Sequence, residues 1–179
     1  SNAITSDLDF PRAVTVIDDQ LYVAHRDGGA TSNIEFRRYA MADNSAIGVL
    51  GSFNAASAAG CFLGGTVNEV YDIVVVPGGE RMYVSYRVGC ALGGTRTAVA
   101  AVVGPDDIVD AGDLICLIAL DDDFFSNADD FLDMTIGPDG HLYVARDGNA
   151  GSVMRFNAEI GGFIDTFIDD FGLDRTYGL

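Results

Sequence analysis

The chain has 179 residues and a formal charge of −17, with 27 acidic side chains set against ten basic ones, every one of them Arg. Proteins bind phosphate backbones and anionic lipid by neutralising charge with Lys and Arg, so this field argues against nucleic acid and membrane-surface partners. No apolar run approaches the roughly 20 residues that a membrane-spanning helix needs.

An Asp-rich, Lys-free surface stays hydrated at high ionic strength, which fits a salt-adapted source; drift in genome composition gives the same bias. Ser1-Asn2-Ala3 has the form of an expression scar, leaving residues 4–179 as one domain.

After a polar lead-in, Phe10 to Ile17 reads as a first strand, and Asp18-Asp19-Gln20 turns it into Leu21 to His25. Ile34 to Tyr39 alternates apolar with charged residues, as a strand with one wet face does, and Ala46 to Phe53 completes a meander of four. A second set follows: Val70 to Val76, Arg81 to Val88, Thr97 to Val103 and Leu114 to Leu120. Phe131 to Ile136, His141 to Arg146, Ser152 to Asn157 and Phe163 to Ile168 form the third. Residues 171–179 resemble the approach to the first strand again, as though a fourth unit begins there.

The second strands share a core: Leu21-Tyr22-Val23-Ala24, Met82-Tyr83-Val84-Ser85 and Leu142-Tyr143-Val144-Ala145 start 61 and 60 residues apart. Fixed self-similarity points to a repeat architecture. These strands have two apolar faces to bury, and four-stranded sheets stacked face to face around an axis bury both. The expected fold is therefore all-β, a β-propeller portion of three four-stranded antiparallel blades over about 10–55, 68–122 and 131–170, with a β-sandwich as the alternative.

The third unit, Gly137-Pro138-Asp139-Gly140-His141-Leu142-Tyr143-Val144-Ala145 with Gly151 to Phe156 and Gly161 to Phe167, resembles a blade of the NHL-repeat propellers and their lactonase-like relatives. That resemblance implies a ring of about six blades, reached by a longer chain or by several copies combining. For a lactonase it also implies a channel metal on Glu, Asp and Asn side chains of different inner strands. Glu69 and Asp72 stand near one such strand, and the others offer no match.

In a propeller the loop after each second strand opens on one rim of the channel. Those positions hold His25, Arg26 and Asp27, then Tyr86 and Arg87, then Arg146 and Asp147. Three Arg on one rim could grip a carboxylate or other anion through their planar forks, and His25 beside Asp27 is the general acid or base candidate. No Gly-x-Ser-x-Gly nucleophile motif is present, and Gly64-Gly65 and Gly93-Gly94 lack the Lys and helix of a phosphate loop.

Cys61 and Cys90 lie in similar glycine-rich frames; a bridge between them suits an exported or cell-surface protein, and two free thiols are the other reading. Cys116 reads as a buried strand residue. The runs Asp121-Asp122-Asp123 and Asp129-Asp130 offer hard oxygens for Ca²⁺, without the spacing of an EF-hand loop. A clear repeat with no catalytic set leads to an expected non-enzymatic binding or scaffold module, with a metal-dependent lactonase or esterase as the alternative.

Overall fold

The computed structural model describes residues 8, 10–26, 34–53, 65–78, 81–90, 95–103, 115–118, 130–147 and 151–169. Among them are twelve β-strands in three antiparallel sheets of four. Blade 1 comprises β1 (Phe10–Ile17), β2 (Gln20–Arg26), β3 (Ile34–Ala40) and β4 (Ala46–Phe53). Blade 2 comprises β5 (Gly65–Val75), β6 (Arg81–Cys90), β7 (Thr95–Val103) and β8 (Ile115–Ile118). Blade 3 comprises β9 (Asp130–Ile136), β10 (His141–Asp147), β11 (Ser152–Asn157) and β12 (Phe163–Asp169).

Each sheet is a meander whose strands pair in chain order. The first strands lie inside, β1 packing beside β5 and β5 beside β9. A sandwich is excluded by this topology, because no strand crosses between sheets and blade 2 is covered on both faces. The chain has the propeller fold. No helix long and apolar enough to cross a membrane occurs among the described residues.

The two-residue turn at Asp18-Asp19 places Asp18 at φ 51°, a left-handed conformation that Asp tolerates because its short side chain bonds locally. In blade 3 the turn is longer, running from Gly137 to Gly140, and is packed by its own strand. A Cβ on Gly137 would lie 2.5 Å from Cε2 of Tyr143, and the Tyr143 hydroxyl donates to Asp139 Oδ2 at 2.8 Å, so the ring closes over its own turn.

Strand alternation sorts the core into two junctions. Tyr22, Ala24, Ile34 and Phe36 of blade 1 pack against Val70, Ile73, Met82, Val84 and Tyr86 of blade 2. Tyr83 of blade 2 packs against Met134, Leu142, Val144 and Phe156 of blade 3. Along β6, then, Met82, Val84 and Tyr86 face backward to blade 1 and Tyr83 faces forward to blade 3. Tyr83 also donates its hydroxyl to the Ala158 carbonyl at 2.5 Å, latching blade 2 to the last turn of blade 3.

Candidate functional site

The repeat puts His25, Tyr86 and Arg146 at one position, immediately after the shared four-residue core, near the end of the second strand of each blade. Tyr86 is fully buried, and burial pushes its phenol above the usual tyrosine range. Arg26, Arg87 and Asp147 belong to the same strands through their backbones. Asp27 and Cys61 lie outside the described residues, so neither the His25 and Asp27 pairing nor the Cys61–Cys90 bridge falls within them. The chain traces of Cys90 and Cys116 run in β6 and β8.

The carboxylate that His25 meets is Glu35, directly opposite in the β2–β3 ladder, with Nε2 to Oε1 at 3.0 Å. Arg37 donates from Nε to the same oxygen. Burial works to raise the Glu35 carboxyl, and the hydrogen bonds from Arg37 and His25 outweigh it, holding it below the usual carboxylate range. His25 Nδ1 is buried with no hydrogen-bond partner. The alternating charges of β3 were legible as a wet face, but the pairing depends on register.

A second group sits on the inner strands and was harder to foresee. Every inner strand carries a β-bulge, as its register slips between Pro11 and Ala13, between Val70 and Asp72, and opposite Val144 and Arg146 in blade 3. Counting from the paired residues, Ala13, Asp72 and Asp133 occupy one position, just past the bulge. Bulges re-aim side chains and are frequent beside active sites.

Asp72 spans two blades. Its Oδ1 accepts from the Ile73 amide and its Oδ2 from the Met134 amide in β9, each at 2.8 Å. Since β5 and β9 each have a partner strand on one side only, the carboxyl bridges the free edges of two successive inner strands, the strands nearest the axis. Burial pushes Asp72 up to about 6 against two amide hydrogen bonds that lower it, and the nearby charge of Asp133 adds to the rise. Ser85, opposite Asp72 in the β5–β6 ladder, is fully buried, and its hydroxyl has no hydrogen-bond partner. A carboxyl that exchanges its proton near pH 6, beside a second carboxylate, is equipped for acid–base chemistry.

Among the described residues no His, Cys, Asp and Glu side chains gather into a group that could hold a metal ion. Asp121, Asp122, Asp123 and Asp129 lie outside them, and Asp130 begins β9.

No protein-family model and no curated protein matches the sequence. Solved structures do. An exo-β-1,3-galactanase from Clostridium thermocellum aligns with a TM-score of 0.59 at 11% identity, over 86% of this chain and 35% of its own. A glucose dehydrogenase aligns at 0.59 with 15% identity, over 87% and 46%. The GH43_1 enzyme from Xanthomonas citri, complexed with xylose, aligns at 0.54 with 12% identity, over 87% and 52%. The chain thus spans about half or less of the structures it resembles.

Two expectations are corrected by these likenesses. The resemblance to NHL-repeat and lactonase-like propellers holds only at the level of the propeller, since family-43 glycoside hydrolases are what recur among the matching structures. The non-enzymatic scaffold, and with it the lactonase alternative, is overturned by the same finding: the structures that share this fold are enzymes of another kind. The reason is physical. A blade motif records how sheets pack, and the same packing serves unrelated sites. At these identities the likenesses show a shared fold, the β-propeller.

Proposed function

We propose that the chain contributes blades of a glycoside hydrolase whose working carboxyls are Asp72 and Asp133. The observation that carries this reading is Asp72 itself, a half-buried carboxyl held between two inner strands, raised to about 6 and coupled to Asp133 on the neighbouring inner strand. Glycoside hydrolysis needs two carboxyl groups, one to protonate the leaving oxygen and one to activate water or attack the sugar. Asp72 is suited to the acid role because it keeps its proton to higher pH than an ordinary aspartate. Asp133 then serves as the second carboxylate. Hydrolysis of external polysaccharide suits an exported protein.

The substrates to try first are β-1,3-linked galactose oligosaccharides and xylose oligosaccharides, the sugars associated with the matching structures. Reducing-sugar release by the wild-type chain is expected, with kcat lowered roughly a hundredfold or more in Asp72→Asn and in Asp133→Asn, the usual worth of a positioned acid or base. Activity should fall on the alkaline limb as pH rises through about 6, where Asp72 loses its proton. Wild-type chain without turnover on either sugar class, or an Asp72→Asn variant with unchanged kcat, overturns the reading.

A further inference from the structure

The bulge that places Asp72 also places the residue before it. In β5, Val70 pairs with Tyr86 and Asp72 with Ser85, so Tyr71 and Asp72 together stand opposite Ser85. Ser85 lies two residues beyond Tyr83, on the face of β6 that packs on blade 3. Tyr71 therefore shares that side of the strand with Asp72, and alternation resumes on either side of the two. Its ring is half-buried, and its chain neighbour is the carboxyl that bridges the inner strands.

The other blades fill this position differently. The bulge residue before Ala13 is Arg12, which is exposed, and the one before Asp133 is Leu132. A cation, a phenol ring and an aliphatic chain have no packing role in common, and the exposure of Arg12 shows that the fold does not need to bury this position. The aromatic one falls in the blade that carries Asp72.

A pyranose ring presents axial C–H bonds on a face and hydroxyls around its edge. Such a face stacks on an aromatic ring, and a tyrosine adds a hydroxyl at its tip for the polar edge. Carboxyls beside that ring then meet the oxygens. Charge selects among sugars: Asp133 and a net charge of −17 repel a uronate and leave a neutral sugar unhindered.

We infer that Tyr71 is the stacking platform that holds a neutral pyranose against Asp72 and Asp133. This deepens the reading of those two side chains as hydrolytic carboxyls and rests on it for a sugar as the ligand. Tyr71 binds and orients; it moves no proton.

Steady-state kinetics and calorimetric titration of the whole chain test this, with the neutral galactose and xylose oligosaccharides as ligands and trigalacturonate as the acidic probe. Tyr71→Leu keeps apolar bulk and loses the aromatic face, so KM and Kd for neutral sugar are expected to rise about tenfold, a larger change than in kcat. Tyr71→Phe keeps the ring and is expected to stay within about twofold of wild type. Saturation-transfer NMR of the wild-type chain, irradiating aromatic protons, should label the C–H protons of one sugar face first, whatever the fate of the variants. A Tyr71→Leu chain with wild-type KM and Kd, a Tyr71→Phe chain as weak as Tyr71→Leu, or even labelling of both sugar faces overturns the platform and leaves the carboxyls to their own variants. Trigalacturonate bound as tightly as neutral sugar overturns the substrate class. Neutral sugar bound without turnover, and weakened by Tyr71→Leu, upholds the platform and overturns the hydrolytic role. No heat of binding with either neutral sugar at millimolar concentration overturns the platform.

Discussion

The two junctions between blades are built from the same positions and differ in what fills them. Where blade 1 meets blade 2, the residues past the bulge and opposite it are Ala13 and Ala24, and the buried Tyr86 ring fills the space beside them. Where blade 2 meets blade 3, those positions are Asp72 and Ser85, and the residue equivalent to Tyr86 is Arg146. One junction is dry and the other polar. The backbone is common to both, so a site in this fold is made by changing a few side chains at a fixed place, while the rest of the junction supplies stability.

The sharpest way to break the contrast is to charge the dry junction. Ala13→Asp puts a carboxylate in the apolar cluster, where the amide equivalent to that of Met134, on Ile73, already donates to Asp72, and is expected to cost about 3 kcal/mol or more in urea unfolding at neutral pH. Lowering the pH should recover part of that loss, as the buried acid takes up its proton.

Titrating the polar junction comes next. Asp72 has a raised folded-state pKa, so its favourable contribution is complete below the unfolded value of 3.8 and is lost as pH rises through about 6. Because the carboxyl keeps some solvent, the swing is of order 1 to 2 kcal/mol rather than the full value of the shift. Asp72→Asn should flatten this slope. Its amide can accept only one of the two backbone N–H groups, so the variant is expected to be weakest relative to wild type near about pH 4. Thermal unfolding across that range checks both statements, and a wild-type slope of opposite sign would sink the assignment.

Smaller effects sharpen the comparison. Tyr83→Phe removes the hydroxyl that latches blade 2 to the Ala158 carbonyl and should destabilise by about 1 kcal/mol. Ser85→Ala removes a buried hydroxyl without a partner and should stabilise by about 0.5 to 1 kcal/mol, while lowering turnover if that hydroxyl serves substrate. Unfolding midpoints measured alongside hydrolysis separate the two roles.

Most of the scaffold was legible from residues. Phe10 to Ile17, Ala46 to Phe53 and Ser152 to Asn157 form strands with the bounds that their apolar alternation and flanking turns indicate. β5 begins at Gly65 rather than Val70, because its two bulges break the alternation that would have shown its first half. Asp72 was visible as an acid near an inner strand, but its significance rests on an amide 62 residues away. No local pattern carries such a contact. Glu35 was hidden similarly, since a charged residue in an alternating strand looks the same whether it faces water or a histidine across the ladder.

The recurring bulge has one more consequence. A strand's side chains alternate with strict period, and an extra residue reverses their phase beyond that point. Each inner strand is therefore two half-strands out of step, and in β5 Val70 before the bulge and Ile73 after it, three residues apart, are buried in the same cluster against blade 1. Asp72, between them, points the other way and reaches the Met134 amide of blade 3. The phase slip lets one four-residue stretch hold the core on one face and send its carboxyl to the next blade on the other.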